Sequence, residues 1–409
     1  MIGTGGPFAP GGTAYDEKMR RGDLTSALWV LGGLTFATSL VRTVEGQGYD
    51  TVPLWVAVHA VLEGGEVYTE QGAGDFLYPP SALGLLLPLG AFDLAWANRL
   101  FYVVDLAAIL AATAMLLKHF GYRWRGSAGA VALLGLSLAD PVLFTLNAGN
   151  VNGPVLLGLA GMLVAARRPS WLVAGSALGA TLALKPILAP LLVVLLLYRQ
   201  WASAVVAVAI PVALSVPVLL AAPETRDFFG TTIPLLVRGQ DARIQDVSSS
   251  LPSMLERWSL PSVFSPLAQA AVVFITAFLL WRRFRIGSRE PRLVVELCAI
   301  LLVGSFLASS FTFTHYGLFL LPFAVSATVP SSPHVHWLTW GALFCVGGPV
   351  GWNLRFLPGS VNDVLAERFT LGLLMLLGAF WLALRFEKHV ATRARPQLDS
   401  TADDVALAP

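Results

Sequence analysis

Apolar runs of helical length follow one another from Ser26 almost to Arg385, separated by short polar or proline-containing breaks. A helix needs about 20 apolar residues to cross the hydrocarbon core of a bilayer, fewer when helix ends reach the interface. The pattern predicts spans at about 26–42, 95–117, 126–146, 151–166, 170–184, 187–198, 202–222, 267–281, 294–310, 316–329, 337–350 and 365–384, about twelve crossings in all. One further apolar run, Pro79–Phe92, is only about 14 residues long. It reads as an interfacial or re-entrant helix that starts at Pro79 and Pro80, and this choice sets the sidedness of everything after it.

Basic residues test that choice, because loops rich in Lys and Arg stay in the cytoplasm. "DEKMRRGD" precedes the first span, which puts the N-terminus inside. Thr43 to Asn98 then holds no Lys or Arg but carries Glu45, Asp50, Glu63, Glu66, Glu70, Asp75 and Asp93, as an external loop would. With Pro79–Phe92 kept out of the count, Lys118/Arg123/Arg125, Arg167/Arg168, Arg199, "RRFRIGSREPR" and the group from Arg385 to Arg395 all fall inside. If it crossed, nearly all of them would face outward. The expected organisation is a cytoplasmic tail over 1–25, a transmembrane domain over 26–388 with external loops at 43–95 and 223–265, and a disordered cytoplasmic tail over 389–409.

Composition agrees. Of 409 residues, 56% are hydrophobic and 13% charged, and mean hydropathy is +0.68, whereas soluble domains carry about 25% charge. The class is an all-α polytopic membrane protein. A net charge of +2 points to no nucleic acid, and Cys298 and Cys345 in apolar segments make neither a disulfide framework nor a metal cluster. The first 25 residues have no hydrophobic core of the signal-peptide kind. Protease, lipase and ATPase motifs of the HExxH, GxSxG and Walker types are absent from the sequence.

Chemistry enters with Lys185, inside the apolar stretch "LVAGSALGATLALKPILAPLLVVLLLYRQW". A charge at mid-bilayer costs roughly 2.5–3.5 kcal/mol on insertion scales. The expected topology lowers that cost by placing Lys185 near the external rim, before Pro186. It gathers Asp50, Tyr78, Asn147, Asn150, Asn152 and His315 at the same face, with Arg226, Arg238, Arg243, Asp241 and Asp246 in the long loop. Each has a plainer reading: Lys185 as a snorkelling side chain, Asp50 as a solvated loop acid, His315 as a polar helix end, "NAGNVNG" as a turn, and the loop as a connector. Taken together they form a carboxylate, a basic anion site and amide groups at the lipid edge. Such a set suits group transfer from a lipid-linked phosphate: the carboxylate accepts a proton from an attacking hydroxyl, and the cation stabilises the departing phosphate.

These residues carry a resemblance. Asp50 in "YDTVPLW", "FLYPP", "NAGNVNG", "LALKPILAPLL", "YRQW" and "FTHYGLFLLPF", in this order, resemble glycosyltransferase family 87, whose members have a GT-C fold and use polyprenyl-phosphate sugars. The likeness covers about Asp50 to Trp381, and "IPVALSVPVLLAAPETRDFFGTTIPLL" extends it toward the family's arabinosyl branch. The resemblance implies an inverting transfer of arabinofuranose from decaprenyl-phospho-arabinose to the 3-hydroxyl of an α-(1→5)-arabinan, as in branching of arabinogalactan or lipoarabinomannan. It implies Asp50 as general base, and Lys185 and His315 at the donor phosphate with Arg238 and Arg243 as helpers. Tyr78, Asn147, Asn150, Asn152 and His59 would lie around sugar and acceptor. No metal or other cofactor is expected, because lysine and histidine can carry the leaving group's charge. The implied partners are a lipid-linked donor and a polysaccharide or glycolipid acceptor, and the implied location is the plasma membrane with the site facing out. Two features depart from the pattern: a short loop with "GEVYTEQGAGD" before Tyr78, and His315, which is more usual among the family's α-(1→2)-mannosyltransferases. A polyprenyl-phospho-mannose donor is thus the second reading. A lipid or sugar transporter is the third, set back by polar residues that gather at one face and by the lack of a convincing inverted repeat.

Overall fold

Proline and glycine decide where the apolar helices break, and the breaks are where polar groups gather. The computed structural model describes residues 12–44, 48–68, 76–168, 170–238, 248–286, 291–326, 333–348 and 364–403, and every regular element among them is helical. The first half contains α1 (Gly12–Val44), α2 (Thr51–Glu63), α3 (Pro80–Leu86, continued as a 3-10 turn over Leu87–Ala91), α4 (Leu94–His119), α5 (Ser127–Leu138), α6 (Asp140–Ala148), α7 (Asn152–Arg167) and α8 (Trp171–Leu184). A 3-10 segment, Pro186–Leu191, leads into α9 (Leu192–Leu197) and α10 (Trp201–Ala221). The second half contains α11 (Ile233–Arg238), α12 (Leu251–Arg257), α13 (Phe264–Ile286), α14 (Pro291–Ala308), a 3-10 segment Thr314–Leu320, α15 (Leu321–Val325), α16 (Trp337–Gly347) and α17 (Arg368–Asp403).

Among the described residues, five helices are long and apolar enough to cross a membrane: Gly22–Val44 of α1, α4, α10, α13 and Arg368–Arg385 of α17; the pair α5–α6, bent by 61°, makes a sixth if taken as one span. The other runs expected as crossings are shorter apolar pieces. Pro141 explains the bend. It has no N–H to bond the carbonyl of Ser137, and that carbonyl instead accepts a 2.8 Å hydrogen bond from Ser39 Oγ of α1. Helix is also present in both stretches expected as tails, since α1 begins at Gly12 and α17 reaches Asp403. The flanks "DEKMRR" and "RFEKHVATRAR" are built largely of strong helix formers, and the adjoining spans supply the nucleus from which helix propagates.

The basic clusters collect at one end of the bundle. Trp29, in the first half of the apolar part of α1, bonds the carbonyl of Arg125, and Arg167 at the end of α7 bonds the carbonyl of His119 at the end of α4. At the opposite end Tyr102 of α4 bonds Leu40 and Thr43 of α1. The segment α3 starts and finishes at that same opposite end: Ser81 Oγ donates to the carbonyl of Ala183, at the close of α8, and Phe92 accepts from Trp55 Nε1 of α2. Both of its ends therefore lie at one end of the bundle, as a re-entrant segment would place them.

Small residues bring the helices close, as packing without a hydrophobic drive requires. A Cβ on Gly175 would stand 2.3 Å from the Ser203 carbonyl, so α8 and α10 touch backbone to backbone. Three ion pairs lie within the bundle, where an unpaired charge is costly: Arg283 of α13 with Glu296 of α14, Arg257 of α12 with Glu367 through two 2.7 Å bonds, and Arg368 of α17 with Asp140 of α6 at 2.9 Å.

Candidate active site

Three helix breaks meet at the end away from the basic clusters: the start of α2, the turn between α6 and α7, and the gap between α8 and the 3-10 segment. The first two are clipped together through backbone. Gly48 and Asp50 donate to the carbonyls of Asn147 and Ala148 at 3.3 and 2.9 Å, and Thr51 Oγ1 donates to the Gly149 carbonyl at 2.8 Å. Gly149 ends α6 at φ +65, where an L side chain is strained. A Cβ there would also strike Thr51 Oγ1 at 2.2 Å.

Asp50 stands at the N-cap position of α2 but makes no capping bond. Its Oδ2 instead accepts from Asn150 Nδ2 at 3.0 Å. Asn150 Oδ1 accepts the Asn152 backbone N–H at 2.9 Å, and Asn152 Oδ1 accepts from Lys185 Nζ at 3.0 Å. Both asparagines have 0% of their surface exposed. An unbroken path of hydrogen bonds thus joins the carboxylate of Asp50 to the ammonium of Lys185, across residues 135 positions apart in the chain. Burial raises the Asp50 carboxyl above the ordinary carboxylate value, while the charge of Lys185 and the Asn150 amide pull it back down.

Lys185 is free to point inward because α8 ends there. Pro186 has no N–H to bond the carbonyl of Leu182, and Lys185 takes up extended backbone (φ −152, ψ 113). Its Nζ lies 4.7 Å from the ring centre of Tyr316 and 5.6 Å from that of Tyr78, within cation–π range. Among the described residues Lys185 forms no ion pair; an amide oxygen and two ring faces touch its charge, and the carboxylates of Asp50 and Asp105 act on it from further away. That leaves it available to an anion.

His315 is 4% exposed. Its ring is held between the parallel faces of Phe144 and Phe313, at 5.1 and 5.3 Å, with the Tyr316 ring edge-on at 4.8 Å. Neither ring nitrogen has a hydrogen-bond partner. Buried nitrogens of this kind need an explanation.

Of the residues expected from sequence, Asp50, Tyr78, Asn150, Asn152, Lys185 and His315 come together. Asn147 takes part through its carbonyl. His59 turns back on its own helix, stacking on Trp55 at 3.8 Å with Nδ1 3.0 Å from the Trp55 carbonyl. The backbone of Arg238 closes α11; Arg243, Asp241 and Asp246 lie outside the described residues. Two groups missed in the sequence also reach this cluster. Tyr316 lies under the ammonium, and Asp105 of α4 accepts the Gly153 N–H at 2.9 Å. Asp105 carried a readable signal, a lone acid within an apolar span. Among the described residues no group of three or more His, Cys, Asp or Glu side chains is placed to hold a metal ion.

A proton acceptor, a buried cation and aromatic faces within one polar cluster suit acid–base chemistry beside an anionic group. Comparisons with known proteins point the same way. The chain is 29% identical over 399 residues to an "Alpha-(1->3)-arabinofuranosyltransferase" of Mycobacterium tuberculosis, covering 94% of this chain and 90% of that protein. Proteins of the same name in Mycolicibacterium smegmatis and Corynebacterium glutamicum are 27% and 26% identical, covering 93% and 97% of this chain and 90% and 97% of theirs. The model of glycosyltransferase family 87 matches residues 76–310, more than half of the length. With the all-helical membrane architecture, these matches mean that the chain belongs to glycosyltransferase family 87.

Proposed function

We propose that the protein transfers arabinofuranose from a polyprenyl-phosphate donor, decaprenyl-phospho-β-D-arabinofuranose, to the 3-hydroxyl of an α-(1→5)-arabinan chain, at the outer face of the plasma membrane. The observation that carries this reading is the hydrogen-bonded path from Asp50 through Asn150 and Asn152 to Lys185. It holds a base and a phosphate-binding cation in fixed relation, as a single displacement requires.

In that displacement the acceptor oxygen bonds to the anomeric carbon from the side opposite the phosphate, and the bond from that carbon to the phosphate oxygen breaks. Asp50 takes the hydroxyl proton. The electron pair leaves with the polyprenyl phosphate, whose growing charge Lys185 and an N–H of His315 stabilise. A β donor then gives an α product. Tyr78 and Tyr316 supply ring faces to the sugar, and the Asn side chains keep base and cation in register. The name that the relatives share supports arabinose as the sugar.

The test uses purified protein with decaprenyl-phospho-arabinose and, in parallel, a polyprenyl-phospho-mannose, with linkage analysis of the product. Asp50→Asn is expected to lose at least about 100-fold in kcat, within the range of general-base contributions, while still binding donor. Lys185→Ala is expected to raise donor KM and lower kcat. Full turnover by Asp50→Asn, or product only from the mannose donor, overturns the assignment.

A further inference from the structure

Asp105 lies near the middle of the span α4, 0% exposed. A carboxylate at such a depth is costly to keep. Its Oδ1 accepts the Gly153 N–H at 2.9 Å, and the Asn150 N–H also acts on the carboxylate. Its Oδ2 has no hydrogen-bond partner. The two amides flank the Asn150–Asn152 turn at the N-terminus of α7, where a carboxylate is favoured by unbonded N–H groups and the helix dipole. Gly153 is required for this approach: a Cβ there would stand 2.6 Å from Asp105 Oδ1 and 2.7 Å from the Asp105 backbone. Asn150 is the residue that holds Asp50, and Asn152 is the residue that holds Lys185.

We propose that Asp105 is a positioning residue, which docks the Asn150–Asn152 turn onto α4 and so sets the base and the phosphate-binding cation together. It touches neither substrate and acts through the turn. The inference rests on the roles proposed above for Asp50 and Lys185. A group that only stabilised the fold would alter the yield of folded enzyme; a group that sets the turn alters catalysis per folded molecule at both of the turn's outputs.

The experiment measures kcat and donor KM for full-length Asp105→Ala, Asp105→Asn, Asn150→Ala and the double variant Asp105→Ala/Asn150→Ala, on protein that elutes as a single monodisperse species. Asp105→Ala is expected to lower kcat at least about tenfold and raise donor KM severalfold together. Asp105→Asn, which keeps an acceptor oxygen for Gly153, recovers most of that loss. The double variant loses less than the product of the single losses, as coupled residues do. Wild-type kinetics for Asp105→Ala, an Asn variant as impaired as the Ala variant, or independent losses in the double variant overturns the role. Gly153→Ala gives a second route, since it pushes the turn off an intact carboxylate; it is expected to reproduce the joint change in kcat and KM, and failure to do so counts against the proposal even where Asp105→Ala does not fold. Asp50→Asn run beside these separates two failures. Turnover by that variant removes the base and this inference with it, whereas an inactive Asp50→Asn with a fully active Asp105→Ala removes the positioning role alone.

Discussion

Asp50 works against its surroundings. In the proposed role of base it must be ionised, yet burial raises its carboxyl, and Lys185 and Asn150 offset this. Tyr78, Tyr316 and Asp105 are the other titratable groups in its field. As pH falls, protonation of Asp50 removes the base, so the acid limb of the kcat/KM profile is expected above the ordinary aspartate value of about 3.9. Lys185→Ala removes a charge that favours the carboxylate, so any residual activity should show that limb at still higher pH. A limb that stays in place, or moves down, detaches the cation from the base. The single residues were partly legible in sequence: Lys185 and Asp50 stand out because charges are rare in this chain. His59, expected around the sugar and acceptor, stacks instead on Trp55, one turn earlier on α2.

Among elements, the breaks matter more than the helices. The 61° bend between α5 and α6 puts Asn147, Ala148 and Gly149 beneath the Asp50 loop, and α6 is held there by Asp140 bonding Arg368 of α17. Both side chains are largely buried. Loss of one partner of such a pair costs about 3–5 kcal/mol, because the other is left without its counter-charge. Arg368→Met is expected to lower the unfolding midpoint in detergent by an amount of that order, and Arg368→Met/Asp140→Leu to recover most of it. An unchanged midpoint for the single variant assigns the holding of α6 to its apolar contacts alone. Proline marked the break at Pro186 in the sequence, whereas the pattern alone read 126–146 as one span through Pro141. The side-chain bonds that fill the gaps, Ser39 to Ser137 and Ser81 to Ala183, join residues about a hundred positions apart and had no local signature.

For the whole molecule, the sidedness rests on α3. With both of its ends at the Asp50 end of the bundle, positions 63 and 93 should react with a membrane-impermeant thiol reagent from the same, outer side, and position 118 only from the inner side. In a background with Cys298 and Cys345 replaced by serine, Glu63→Cys, Asp93→Cys and Lys118→Cys test this. Labelling of 63 and 93 from opposite sides means that the segment crosses and the catalytic face is reversed.

Membrane residence, helical class, the placing of most breaks and the sorting of basic clusters follow from local pattern: hydrocarbon admits only backbone that bonds within itself, and charge bias orients the loops. Which polar side chains meet does not follow from it. Helices that are apolar on every side lack the one polar face that would reveal their rotation, so nothing in the pattern near Leu94–His119 tells that Asp105 faces the turn at Gly153. That meeting, like the joining of Asp50 to Lys185 through two asparagines, depends on how breaks from distant parts of the chain pack against one another.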